Sequence, residues 1–370
     1  MFFILGISIA VFLVFLLLIK KNKSHADQIL MAWLLLMVIH QLLHYGLYTD
    51  ELYNYPHLLG LEFPMPILQG VFLYFYVLAI TGKKVIGSWS ALVHLIPALA
   101  LVILAIPFYT LSGEEKINVF KTDAAGYEWF VIIEGVLMTV SGLAYSAFSL
   151  IRIKKHHLNI QENFSNTEKK ELQWLQYLSI GLGMIWFVAI FFDGTVIFSA
   201  VVIFVLFIGF FGINQMNIFY SNQIPDVVSN EEPDKRIEMK TSPLIATTKR
   251  YAKSGLNKES AEQLYAKLNE LMAKESLFIN NDLTLTELAK RLDVHSNYLS
   301  QVINGKEQKN FYNYINALRI KEFIRLSALP ENKKYTLLSL AFDCGFNSKS
   351  TFNKHFKENM GKTPTEYFKD

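Results

Sequence analysis

Four polar side chains near the C-terminal end share one face of a predicted helix. Phe352 and Phe356 are four positions apart and mark the apolar face of residues 349–357. The opposite face then carries the side chains that point outward, which are Lys349, Ser350, Asn353 and Lys354. Amide and hydroxyl groups can hydrogen-bond to the edges of bases, and ammonium groups attract phosphates. This face therefore has the chemistry needed to read a nucleic acid.

The preceding residues predict the elements that would position this face, a helix-turn-helix unit at about residues 336–358. Thr336 can cap a first helix, and Ala341 is small enough to let two helices cross closely. Gly345 can adopt the positive φ of a tight turn, and Ser348 can cap the second helix.

The pattern occurs a second time, 52 positions earlier, at about residues 281–304. Leu288 and Ala289 correspond there to Leu340 and Ala341, which indicates an internal repeat. At this offset Ser296 aligns with Ser348 as the cap of the second helix. After the turn the offset becomes 53, because the apolar residues of the two second helices match only then.

Two further features bear on how the repeats fold. Asp293 stands where the later unit has Gly345, and aspartate tolerates the left-handed backbone region better than most residues. Residues 311–325 contain neither glycine nor proline and are amphipathic, which predicts one rigid helix between the units.

One run of residues in the second unit matches a known signature. It consists of Leu340-Ala341, Gly345-Phe346, Phe352, Phe356-Lys357, Gly361-Lys362-Thr363-Pro364 and Tyr367. The run resembles the DNA-binding domain of the AraC/XylS family, and the resemblance covers roughly residues 280–368. Phe323 departs from it, because the family usually has a small residue there.

The resemblance implies a domain of seven helices whose two recognition helices enter successive major-groove faces on one side of double-stranded DNA. Carried over by position, the base-facing candidates are Asn297, Ser300 and Gln301 in the first unit and Lys349, Ser350, Asn353 and Lys354 in the second. Residues 281–370 hold 14 Lys and Arg against 10 Asp and Glu, so the attraction for phosphates is mild. A helical domain that binds protein instead of DNA is the alternative.

Hydrophobic residues make up 52% of the chain, and most of them lie in the first 214 residues. This part therefore differs in composition from the rest of the chain. Seven apolar runs are long enough to cross a hydrocarbon layer of about 30 Å. They are Phe2 to Ile19, Ile29 to Tyr48, Met65 to Thr81, Ser90 to Tyr109, Phe130 to Leu150, Trp174 to Phe192 and Thr195 to Ile213. We therefore predict an all-α chain with a seven-helix membrane bundle at residues 1–214, a flexible cytoplasmic linker at residues 215–255, and a helical lead-in with the tandem helix-turn-helix domain at residues 256–370.

Charges beside the apolar runs predict the orientation. Ten lysines and arginines flank one side and two lysines flank the other, which places the N-terminus outside and the C-terminus in the cytoplasm of a bacterium. The first run lacks a preceding positive segment and a small-residue cleavage site, so we interpret it as a retained helix of the inner membrane.

Polar residues inside the apolar runs are the candidates for a sensor pocket. His40, His44 and Glu134 come to similar depths when each run is measured at about 1.5 Å per residue. The spacing of the two histidines also fits a metal site, but no HExxH motif accompanies them. Two other interpretations are favoured: hydrogen bonds between helices, and a pocket that senses a ligand or pH.

The sequence thus favours a membrane regulator of transcription over an enzyme. We find no phosphate-binding glycine loop and no nucleophile triad, and we predict neither a cofactor nor a metal. The expected partners are double-stranded DNA, membrane lipid, an unknown small ligand or membrane signal, and a second copy in a homodimer. The alternative is a membrane transporter or receptor whose C-terminal domain binds protein.

Overall fold

Helices make up the regular structure that the computed structural model describes, as the sequence predicts. The described residues are 2–83, 85, 87, 89–168, 172–192, 194–219 and 257–369. These residues contain no β-strand, and one isolated antiparallel bridge joins Phe164 and Thr284. The chain divides into an amino-terminal unit, Met1–His156 with Leu172–Val227, and a carboxy-terminal unit, His157–Glu171 with Val228–Asp370.

The described part of the chain has helices at all seven apolar runs. Together with α7, which lies between the fourth and fifth runs, the α-helices up to residue 219 are α1 (Phe2–Ile19), α2 (His25–Tyr48), α3 (Met65–Ile80), α4 (Trp89–Val93), α5 (Ile96–Leu104), α6 (Ile106–Tyr109), α7 (Gly113–Lys121), α8 (Glu128–Asn163), α9 (Gln173–Val188) and α10 (Gly194–Phe219). The fourth run is three short helices instead of one. Pro97 and Pro107 stand near the starts of α5 and α6, where their missing N–H groups are tolerated.

Within the amino-terminal unit, α2 packs on α1 and α3. Trp33 is fully buried there, and its Nε1 donates to Gln69 Oε1 at 2.8 Å, so a buried polar pair is satisfied inside an apolar core. The outer surface is also apolar: Phe12, Phe15 and Phe191 are each more than half exposed. An apolar inside and an apolar outside are typical of helices that face lipid.

Among the described residues, two helices are long and apolar enough to cross a membrane, α2 and α8. The remaining apolar helices are shorter: Phe3–Ile19, Met65–Ile80, Trp89–Leu104 and Val196–Phe211. The seven-span bundle therefore stays a prediction.

The carboxy-terminal unit contains seven α-helices within residues 257–369. They are α11 (Lys258–Glu275), α12 (Leu285–Arg291), α13 (Ser296–Glu307), α14 (Phe311–Ser327), α15 (Leu337–Asp343), α16 (Lys349–Met360) and α17 (Pro364–Tyr367). The predicted linker, residues 215–255, lies outside the described residues except for its first five positions, which continue α10.

Helix α14 is the predicted connecting helix, and it contributes to two cores. Its first half places Phe311 and Ile315 in the core of the first helix-turn-helix unit, together with α12 and α13. Its second half places Ile320 and Phe323 in the core of the second helix-turn-helix unit. Phe323, the departure from the family pattern, is fully buried with its ring 4.7 Å from that of Phe352. One rigid helix thus belongs to both units.

Candidate DNA interface

The two turns have the backbone that their residue types predict. Asp293 has a φ of 54° and Gly345 a φ of 91°, both in the left-handed region. Gly345 also lies against the loop after α11, since a Cβ atom there would stand 2.5 Å from the carbonyl oxygen of Ile279. Asn281 Nδ2 donates to Asn347 Oδ1 at 2.8 Å in the same region. The loop at residues 278–281 therefore packs against the second turn.

The first recognition helix, α13, buries Leu299, Val302 and Ile303. Val302 packs on Ala261 and Leu264 of α11, so the predicted lead-in helix supports this helix. The base-facing candidates are located as follows: Asn297 is exposed, and Ser300 and Gln301 are half-buried.

The cap of α13 differs from the prediction. Its N-cap residue is His295, whose Nδ1 accepts from the backbone N–H of Asn297 at 3.2 Å, and Ser296 is the first helical residue. The offset between the units is therefore already 53 at the caps, His295 and Ser348, because the second turn has Asn347 as an extra residue before its cap.

The second recognition helix, α16, begins after Ser348, whose Oγ accepts from the backbone N–H of Thr351 at 3.2 Å. Phe352 and Phe356 are buried as predicted. The candidates on the outer face are found in these positions: Lys349, Ser350 and Lys354 are exposed, and Asn353 is half-buried.

Sequence reasoning missed His355, which lies on the buried side of α16. Its ring packs on Tyr312 at 4.9 Å, and its Nδ1 lies 3.0 Å from the carboxylate of Glu358. Its Nε2 is buried with no hydrogen-bond partner among the described residues. Burial first, then the positive charges of Lys354 and Arg319, lower the pKa of His355 to about 4. The ring is therefore neutral at physiological pH and acts as part of the core.

Two of the three predicted sensor residues, His40 and His44, meet at one aromatic ring, and Glu134 does not join them. His44 stacks on Phe198 with ring centroids 3.5 Å apart, and His40 meets the same ring edge-on at 5.1 Å. Glu134 instead interacts electrostatically with Glu62 and Tyr109, and no described contact joins it to either histidine. No group of three or more His, Cys, Asp or Glu side chains in the described ranges could hold a metal ion.

Comparison with known proteins agrees with the geometry of the carboxy-terminal unit. Residues 288–370 match a family model described as a helix-turn-helix domain. The chain carries a helix-turn-helix domain at its C-terminal end. The match agrees with the expected AraC-type helix-turn-helix domain at these residues.

A curated relative matches part of the chain. The Msm operon regulatory protein of Streptococcus mutans is 28% identical over 90 residues, which are 24% of this chain and 31% of the relative. The match thus spans less than a third of that relative's length. No solved structure matches the chain significantly. These similarities support DNA binding and transcription regulation, and the family model covers residues 288–370.

Proposed function

We propose that this protein is a membrane-anchored transcription regulator that binds specific DNA sequences and receives its signal through the amino-terminal unit. The observation that carries the proposal is the pair of recognition helices, each with a polar outer face, joined by α14, which belongs to both cores. A rigid connection fixes the distance between two reading helices, so the pair fits one spacing along a duplex.

The second recognition helix has the chemistry for both parts of recognition. Lys349 and Lys354 are exposed cations that can approach phosphates or guanine edges, and Asn353 can form a bidentate pair with adenine. Affinity for phosphates positions a protein on DNA, while contacts with base edges determine the sequence. We assign the second task to Asn353 and Lys349.

Replacing Asn353 with alanine tests this assignment. We expect Asn353→Ala to weaken binding to the preferred site by about 1 to 3 kcal/mol and to change binding to random duplex little. The preferred site is obtained by repeated selection from a pool of random duplexes with the wild-type protein, and both affinities are measured at one fixed salt concentration.

Lys354→Ala is the matched variant on the same helix. If Lys354 contacts phosphate, this variant weakens binding to both duplexes alike and lowers the salt dependence. Equal losses on both duplexes for Asn353→Ala would contradict base reading by Asn353 and reassign it to a backbone contact.

The membrane part of the proposal rests on the apolar surface of the amino-terminal unit. Large side chains such as Phe15, Phe191 and Phe210 are more than half exposed, and α2 and α8 have the length and composition of membrane spans. In water this surface would be an aggregation liability, whereas lipid would cover it. The signal would then be a membrane or small-molecule ligand of the helices.

Reporter fusions test the orientation that the flanking charges predict. A reporter placed after Asp370 should behave as cytoplasmic, and one inserted near Ala124 as extracytoplasmic. Ala124 lies between α7 and α8, and Asp370 is the last residue of the sequence. The seven-span proposal fails if both reporters are found on the same side of the membrane.

A further inference from the structure

Residues 157–168, here called the contact segment, belong to the carboxy-terminal unit although more than 100 positions separate them from the helix-turn-helix domain. The segment comprises the last turns of α8 and the residues that follow. Glu162 Oε2 accepts hydrogen bonds from Ser300 Oγ at 3.1 Å and from Asn304 Nδ2 at 3.3 Å. Both donors lie on the first recognition helix, and Ser300 is one of its base-facing candidates.

A second glutamate of the contact segment reaches the second recognition helix. Glu168 Oε1 accepts from the hydroxyl of Ser348 and from Thr351 Oγ1, the latter at 2.5 Å. Ser348 is the N-cap of α16, so the carboxylate lies at the positive end of a helix dipole. A helix N-terminus with hydroxyl donors is the kind of place that binds a DNA phosphate.

Residues of the contact segment that lie between Glu162 and Glu168 are hydrogen-bonded to the helix-turn-helix domain. The backbone N–H of Ser165 donates to the carbonyl of Leu283 at 3.1 Å, and the guanidinium of Arg319 donates to the carbonyl of Ser165 at 3.2 Å and to its Oγ at 3.3 Å. Ser165 and Thr167 are each only 1% exposed. This part of the segment is therefore buried against the domain.

We propose that the contact segment is autoinhibitory: its two carboxylates occupy donors on both recognition helices that DNA would use, so that the segment and the duplex exclude each other. This inference rests on the proposed DNA-binding function. Carboxylates and phosphates are both anionic oxygen acceptors, and two negative charges beside the recognition helices also repel the duplex.

A purely structural role explains the geometry less well. Ser165 and Arg319 already attach the segment to the domain through buried hydrogen bonds. Glu162 and Glu168 add contacts at partly exposed polar groups, and these groups include a base-facing candidate and the cap of a recognition helix. One segment also meets both helix-turn-helix units at once, which is what blocking both would require.

Removing the two carboxylates from the full-length protein tests the inference. We compare Glu162→Ala/Glu168→Ala with wild type and with Glu259→Ala/Glu270→Ala, which removes the same two charges from exposed positions of α11. The probe is a pool of 40-base-pair duplexes of random sequence. If about 90% of molecules are closed, the double variant should bind the pool about tenfold more tightly than the matched control.

Hydrogen exchange of the wild-type protein provides a measurement that does not depend on how the variant folds. Saturating the protein with the duplex pool should accelerate amide exchange across residues 157–168, including the amide of Ser165, because bound DNA displaces the segment. Continued protection of the segment in the DNA-bound protein would overturn the inference.

The remaining outcomes separate this inference from the proposed function. If the double variant and its control bind the pool equally well, autoinhibition is rejected and DNA binding stands. If no form binds any duplex, the DNA-binding function is rejected together with the inference. Cys344 is a fully buried free cysteine, so a thiol that does not react with a maleimide verifies that each variant is folded.

Discussion

Arg319→Met is expected to lower the free energy of unfolding of the helix-turn-helix domain by about 3 to 5 kcal/mol. Arg319 is 2% exposed, and its guanidinium donates to the carbonyls of Phe278 at 2.7 Å, Asn280 at 2.9 Å and Ser165 at 3.2 Å. Burial lowers the pKa of Arg319 to about 10, so the group stays charged at neutral pH. Methionine has a similar length but would leave these buried carbonyls without a donor.

The single cysteine of the chain offers the measurement. Cys344 is fully buried in the second helix-turn-helix unit, and burial raises the pKa of its thiol to about 12. A maleimide therefore reacts with this thiol only when the domain opens. A loss of about 3 kcal/mol would raise the labelling rate of the full-length protein by about 100-fold.

Arg325→Met is the matched control on the same helix. Arg325 pairs with Glu322 three residues before it, and its side chain is 61% exposed. Exposed ion pairs contribute about 1 kcal/mol or less, so labelling of Cys344 should change less than about tenfold. Similar effects of the two substitutions would show that the buried hydrogen bonds of Arg319 do not stabilise the domain.

Gly345→Ala should destabilise the domain by about 2 to 5 kcal/mol. The φ of 91° is costly for any residue with a Cβ atom, and the new atom would meet the carbonyl oxygens of Ile279 at 2.5 Å and Phe278 at 2.9 Å. Because both neighbours are backbone atoms, no side-chain rotation can relieve the contact. Labelling of Cys344 should accelerate by about 30-fold or more.

Asp293→Ala is the corresponding change in the first turn. Asp293 has a positive φ of 54° and is exposed, so alanine there adds backbone strain without a steric clash. We expect a loss of about 1 kcal/mol, measured by hydrogen exchange in α12 and α13. Equal losses at the two turns would mean that the backbone conformation alone, and not the approach of the loop at residues 278–281, makes Gly345 necessary.

Local signals account for what the sequence predicted of the helix-turn-helix domain. Helix caps such as Thr336 and Ser348 bond to backbone groups two or three residues away, so short spacings reveal them. The left-handed turns and the connecting helix also depend on a few neighbouring residues. The one-residue error at Ser296 arose because a histidine, which sequence rules do not favour as a cap, takes that role at His295.

Features that depend on distant residues were not predicted. Helical periodicity identifies the buried side of α16 through its phenylalanines, but it assigned no role to His355, whose partner Tyr312 lies on another helix. Equal depth in two helices does not tell which sides face each other, so Glu134 could not be separated from His40 and His44. The contacts of Glu162 and Glu168 join positions more than 130 apart and have no local signature.

The position of the contact segment within the chain has a consequence for the synthesis of the protein. About 200 residues separate Glu168 from Asp370, and at about 5 to 20 residues per second the ribosome needs roughly 10 to 40 s to add them. The inhibitory residues therefore always leave the ribosome before the recognition helices do. On the proposed mechanism, a newly made domain folds directly into the closed state. A gene shortened to begin after Glu168 would instead encode a permanently open domain, and such truncations would act as dominant, gain-of-function alleles.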